Sequence, residues 1–215
     1  MTDSSVLVTL NGVHASGKST IGSFLDNQGY RFLPETAQRL IDEGGYDPGK
    51  DSSSNFQESV FQYECQRDRS IIDQGNSAFI ETWHIGNIAH AEIVAGQSLV
   101  QQQKEYLHLF KEKTDFEIKA IYLDISDDEI LDRSNLYDVE DDEVLDFYNE
   151  IDNLIFQLYD QFDIDYFKIQ NEGSSLRETE KSALAIAEEF IGSSDQSYNI
   201  LSSSSGYVKS KGSGD

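Results

Sequence analysis

Positive charge is the scarcest property of this sequence. Of its 215 residues, 16 are lysine or arginine against 40 aspartate or glutamate, a formal net charge of −24. Such a field repels DNA, RNA and anionic membranes, so the composition argues against nucleic-acid and membrane partners. It also opposes any small anion unless a metal ion or a local cationic loop offsets it. Cysteine is nearly missing: Cys65 stands alone, which excludes an intrachain disulfide and fits a reducing compartment. No apolar run approaches the roughly 20 residues that span a bilayer. The first apolar run starts about six residues in, leaving no room for a signal peptide. The expectation is a soluble, cytoplasmic protein. Its acidic, lysine-poor composition matches halophilic proteins, whose self-repulsion is screened by concentrated salt.

What is present is equally specific. Gly12, Val13, His14, Ala15, Ser16, Gly17, Lys18 and Ser19 spell G-x-x-x-x-G-K-S. An apolar run, Val6 to Leu10, leads in, and a helix-compatible stretch, Ser19 to Asp26, leads out. A phosphate-binding loop needs that context, because its backbone N–H groups wrap phosphate oxygens at a helix N-terminus. Gly12 and Gly17 permit close approach of the backbone. Lys18 would reach the β- and γ-phosphates, the Ser19 hydroxyl would hold Mg²⁺, and Thr20 completes the binding segment. The ligand expected is a nucleoside triphosphate, ATP with Mg²⁺.

Short apolar runs alternate with longer helical stretches, the pattern of a parallel sheet wrapped by helices. The spacing predicts strands at Val6–Leu10, Tyr30–Leu33, Ser70–Asp73, Lys119–Leu123 and Asp165–Ile169. Helices are predicted from near Glu35 to Gly45, over Asn55–Arg69, Ser77–Gly96 and Ser98–Lys113. Val144, Phe147, Ile151, Leu154, Leu158 and Phe162 recur at three- and four-residue spacing, an amphipathic helix. Leu184, Ala187 and Ile191 mark a closing one. The expected fold is a three-layer α/β phosphate-loop NTPase fold with a mostly parallel five-stranded sheet. Residues 1–192 would form one such domain. The tail, 193–215, holds nine serines and three glycines among 23 residues and reads as flexible chain. From Asp124 to Asp152 there are 13 acidic residues and one basic, a net of −12; this is either a solvated face or a lid, placed at about 133–143.

Phosphoryl transfer needs charge neutralisation and an aligned acceptor, often with a carboxylate base, and ligands sit at the carboxyl ends of parallel strands. Glu35 follows the second predicted strand and Asp73 ends the third. Glu35 equally suits helix N-capping or first-turn dipole compensation, and Asp73 equally suits a turn before Gly75. Among six arginines, Arg133 at the lid is the first candidate to clamp phosphate, and Arg39 points to the cleft from one turn past Glu35. Arg67 and Arg69 would flank the wrong end of the third strand and serve surface pairing. Glu81-Thr82-Trp83-His84 is compositionally odd. It either lines an acceptor pocket, Trp83 stacking and Glu81 or His84 hydrogen-bonding, or supplies a core tryptophan. His84, His90 and His108 have no metal-ligand spacing.

With the phosphate loop, Glu35, Asp73 and the run Tyr122-Leu123-Asp124 leading to Asp132-Arg133, residues 5–191 resemble nucleoside and nucleotide kinases. These include deoxynucleoside kinases, thymidylate kinases and small proteins labelled AAA-type ATPases. The resemblance implies Glu35 or Asp73 as acceptor base, a lid around Arg133, and Asn171-Glu172-Gly173 approaching the adenine. Two features depart from the family: Asp73-Gln74 stands where many members have Asp-Arg, and the lid is acidic. Both favour a neutral hydroxyl over a nucleoside monophosphate as acceptor.

The expectation is therefore an ATP-dependent phosphotransferase acting on a small-molecule hydroxyl, a nucleoside or deoxynucleoside among the candidates. Lys18 and Arg133 would neutralise charge, Ser19 and Asp73 hold Mg²⁺, and Glu35 accept the proton. The alternatives are a thymidylate-like monophosphate kinase and a slow ATPase acting as a nucleotide-dependent switch. A homodimer is compatible with either.

Overall fold

The computed structural model describes residues 5–43, 53–134, 141–171, 174–192 and 207–210. Among the described residues five parallel strands make up the body of the sheet: β1 (Val6–Asn11), β2 (Phe32–Leu33), β3 (Ala78–Glu81), β4 (Glu117–Asp124) and β5 (Asp165–Gln170). Their spatial order is β2-β3-β1-β4-β5. A sixth strand, β6 (Tyr207–Ser210), pairs antiparallel with β5 at the edge. Four residues of the tail therefore extend the sheet; the rest of 193–215 lies outside the described residues.

Among the described residues eight helices surround the sheet: α1 (Lys18–Asn27), α2 (Thr36–Asp42), α3 (Ser53–Gln74), α4 (Trp83–Val94), α5 (Gln97–Lys113), α6 (Asp127–Ser134), α7 (Asp141–Gln161) and α8 (Leu176–Ile191). β1 is buried along its whole length and apolar except at Thr9 and Asn11, because both of its faces are covered. Leu7 packs with Ile80, Ile88, Leu107, Ile151 and Leu158, under α4, α5 and α7. Val6, Val8 and Leu10 pack with Ile21, Leu25, Ile186 and Phe190, under α1 and α8. That is the expected three-layer α/β architecture. Among the described residues no helix is long and apolar enough to cross a membrane.

The third strand is not where the sequence pattern put it. Ser70–Asp73 belongs to α3, and the predicted helix over Ser77–Gly96 divides into β3 and α4. Two short apolar runs compete here, Ile71-Ile72 and Ala78-Phe79-Ile80, and short runs carry no periodicity that separates strand from helix. α4 gave no clue either, since Trp83 to Ala89 is buried all round. The predicted lid falls partly on residues 135–140, outside the described residues; α6 and α7 flank it.

Candidate active site

β1 delivers the chain into the glycine-rich loop. Gly12 has φ +143°, and a Cβ there would stand 2.4 Å from the Leu123 carbonyl oxygen, so only glycine fits. Ser16 N–H donates to the Val13 carbonyl (3.2 Å), turning the loop, and Gly17, at φ +97°, caps α1. The loop is held from outside. Asn171 Nδ2 donates to the Ser16 carbonyl (3.2 Å), and Thr179 Oγ1 donates to Asn171 Oδ1 (2.6 Å). Arg133 Nη1 donates to the Ala15 carbonyl at 3.3 Å while Nη2 pairs with Glu129 at 3.0 Å. Residues 172–173, expected near the adenine, lie outside the described residues.

Lys18 Nζ donates to the carbonyls of Gly12 and Val13, both at 2.9 Å. Burial lowers its pKa, and Glu35, Glu81 and Asp152 oppose that shift by favouring the cation. The adjacent Ser19 Oγ donates to Glu81 Oε1 at 2.6 Å. A hydroxyl and a carboxylate converge where the α1 N-terminus meets the end of β3, a hard-oxygen pair of the kind Mg²⁺ takes alongside phosphate oxygens.

Glu81, not Asp73, is the carboxylate beside the loop. Asp73 is exposed in the last turn of α3. The Gly75 carbonyl accepts from Ser5 Oγ (2.5 Å), beside the start of β1, so Asp73 sits at the opposite end of the sheet from Gly12 to Ser19. With Ser70–Asp73 helical, the dipeptide ending the third strand is Glu81-Thr82, which also lacks arginine. The sequence pointed to Glu81 as a hydrogen-bonding group of a candidate acceptor pocket, not as the carboxylate beside Ser19.

Glu35 occupies the N-cap position of α2, yet its side chain makes no capping hydrogen bond. It lines instead, with Lys18, Ser19, Phe32, Arg39 and Glu81, a cleft of about 700 Å³. Burial raises its pKa, Lys18 pulls it back, and Glu81 and Glu64 push it further up. Arg67 is a second correction: far from flanking a strand end, it donates to the Pro34 carbonyl (2.7 Å) and pairs with the buried Glu64. Asn87 Nδ2 donates to that same carboxylate at 3.3 Å. The Glu64–Arg67 pair thus holds the backbone immediately before Glu35. Arg39 lines the cleft but is exposed and paired with Glu43 at 2.7 Å.

Behind Glu81 the chain turns through Thr82 (φ +65°, ψ −50°) and Trp83 (φ +39°). Positive φ on a β-branched residue costs on the order of 1–3 kcal/mol and survives only where its surroundings impose it. Thr82 N–H donates to the Leu10 carbonyl (2.9 Å), and its own carbonyl accepts from Gly86 N–H (3.0 Å). Trp83 and His84 lie in the core rather than on a pocket wall: both are fully buried, and both reach the buried Asp68, at 2.9 and 2.7 Å.

No family model and no curated protein matches the sequence. Solved structures do match its fold. A NadR protein in complex with NR superposes with a TM-score of 0.67 at 14% identity, over 92% of this chain and 54% of that one; the chain spans about half the length of that relative. Thymidylate kinase from Candida albicans gives 0.57 at 16% identity over 86% and 92% of the two chains. Deoxyadenosine kinase from M. mycoides, with products dCMP and a flexible dCDP bound, gives 0.57 at 12% identity over 86% and 100%. Likeness at such identities speaks for architecture alone, and with the loop and strand order it assigns this chain the P-loop nucleotide kinase-like fold.

Proposed function

We propose that the protein transfers the γ-phosphoryl group of MgATP to a hydroxyl of a small molecule. The observation that carries this reading is Glu35: a partly buried carboxylate at a helix N-cap that does no capping and faces Lys18 across the cleft. Its raised pKa makes it a better base than a free carboxylate. In the reaction Glu35 takes the proton of the acceptor hydroxyl, and that oxygen bonds to the γ-phosphorus as the bond to the β–γ bridging oxygen breaks. ADP leaves.

The other residues divide the remaining work. Backbone N–H groups from Gly12 to Thr20 cradle the phosphates, and Lys18 and Arg133 offset the negative charge on the transferring group. Ser19 and Glu81 would hold Mg²⁺, which supplies charge neutralisation on the phosphate oxygens. The kinase structures of the same fold support the general class. The acidic cleft wall and the absence of arginine at the end of β3 favour a neutral alcohol over a nucleoside monophosphate.

The test is acceptor-dependent ADP release across a broad panel of alcohols, nucleosides and monophosphates in molar KCl. One neutral alcohol should accelerate turnover sharply, and Glu35→Gln should reduce that rate by about 10²–10⁴-fold with ATP affinity near wild type. Wild-type turnover should fall at acid pH with an inflection above the usual carboxylate range, because the base must be ionised. Slow hydrolysis indifferent to every acceptor would mark a nucleotide switch instead.

A further inference from the structure

The peptide joining Ser16 to Gly17 is free to turn over unless something holds it. Gly17 reaches φ +97° because it carries no Cβ, and the same lack of a side chain lets the preceding peptide rotate at little steric cost. In a planar trans peptide the carbonyl and the next N–H point in opposite directions. The way the Ser16 carbonyl faces therefore decides the way the Gly17 N–H faces. That N–H has no hydrogen-bond partner among the described residues, and Gly17 lines the large cleft together with Lys18 and Ser19.

The holding group is the side chain of Asn171. Its Nδ2 donates to the Ser16 carbonyl at 3.2 Å, across 155 residues of chain. A carbonyl only accepts, so the amide nitrogen must face Ser16. The amide oxygen is left for Thr179, whose Oγ1 donates to it at 2.6 Å. Thr179 stands one turn into α8 and is 1% exposed, so water does not compete for its hydroxyl. The Asn171 N–H donates to the Asp124 carbonyl at 2.8 Å, fastening the residue where β4 and β5 end. A Cβ on Gly17 would lie 3.6 Å from Asn171 Nδ2, so the amide packs directly against the loop. Asn171, expected near the adenine, thus has both polar atoms of its side chain engaged inside the protein.

We infer that Asn171 is a positioning residue for the phosphate loop, with Thr179 setting its amide. Together they turn the Ser16 carbonyl outward and the Gly17 N–H toward the phosphates of the nucleotide. The inference rests on the triphosphate-binding part of the phosphotransfer reading and is independent of the acceptor. Without the amide, the Ser16–Gly17 peptide populates both orientations. Apparent affinity for a triphosphate then falls with the fraction of loops that still present the N–H. The effect belongs to the phosphates, so a triphosphate without a base feels it as ATP does. A contact between Asn171 and adenine would instead be lost for ATP alone.

The experiment is calorimetric titration with MgATP and, separately, with magnesium tripolyphosphate, in molar KCl. It compares the wild type with Asn171→Ala, Thr179→Val and Thr179→Ser, each well below its melting temperature, so that lost stability alone leaves the affinities unmoved. Asn171→Ala should weaken both ligands by the same factor, about three- to ten-fold, the loss of one hydrogen bond. Thr179→Val keeps the shape and removes the hydroxyl; it should weaken both ligands together, by no more than Asn171→Ala does. Thr179→Ser should restore the wild-type affinities. Thr179→Val carries the test if Asn171→Ala impairs folding. A loss of ATP affinity with tripolyphosphate unmoved makes Asn171 a base contact and overturns the inference. Wild-type affinity for both ligands in Asn171→Ala and Thr179→Val overturns it too. Either result leaves phosphotransfer standing, whereas a wild type that binds neither ligand sinks that reading and the inference with it.

Discussion

Replacing Asp152 with asparagine should stabilise this protein at neutral pH and leave it unchanged in acid. Asp152 sits on α7, accepts a hydrogen bond from the Tyr122 hydroxyl, and has one carboxylate oxygen, Oδ1, buried without a partner. Burial, reinforced by Asp124, raises its pKa from 3.8 to about 6 against the opposing pull of Tyr122, Lys168 and Lys18. A carboxyl whose folded pKa is raised contributes stability below its unfolded pKa, and that contribution disappears as pH climbs through the folded value. The window is therefore pH 4 to 6. The rise corresponds to at most about 3 kcal/mol, less where water screens the group. Asparagine has the same shape, stays neutral, and still accepts from Tyr122. Urea denaturation of both proteins at fixed high salt should give equal stability near pH 4 and an advantage of about 2–3 kcal/mol for Asp152→Asn at pH 8. For a domain of this size that is about 5–10 °C in melting temperature. A variant no more stable than wild type at pH 8 would show that Asp152 ionises without penalty and would refute the account of its burial.

Lys18→Ala should abolish triphosphate turnover with the melting temperature nearly unchanged, because its ammonium bonds only loop carbonyls; activity assays with circular dichroism check it. Asp68→Ala should destabilise by about 3–5 kcal/mol, since it strands the Trp83 indole N–H and His84 in a dry core; chemical denaturation measures this. Melting temperature should climb steeply between 0.1 and 1 M KCl, where the screening length shrinks from about 10 to about 3 Å. A melting temperature flat across that range would remove the link between the −24 charge and concentrated salt.

The sequence by itself determined the phosphate loop and its neighbourhood. Gly12 to Ser19 are contiguous, their chemistry depends on backbone conformation set locally by two glycines, and the flanking strand and helix lie within one βα unit. Glu35 was picked out by its place just after the second apolar run and Arg133 by its place at the expected lid, and the fold brings Glu35 to the cleft and Arg133 to the Ala15 carbonyl. The helix that carries Arg133, α6, was not read from the sequence. Tertiary structure decided the rest. Asp73 and Glu81 both close short apolar runs, and only the pairing of Ala78–Glu81 against β1 shows which run is the strand and which carboxylate meets Ser19. The placement of Arg67 beside Pro34 follows from the same correction, since it depends on α3 running unbroken to Gln74. The strained turn at Thr82 carries no glycine, proline or asparagine to announce it; contacts with Leu10 and Gly86, distant or one helical turn away, impose it. Ser16, Asn171 and Thr179 come together from the phosphate loop, the chain just past β5 and α8, Asn171 reaching Ser16 across 155 residues. Residues brought together by packing rather than by chain continuity leave no local pattern, so a clamp of this kind exists only once the sheet and its helices have assembled.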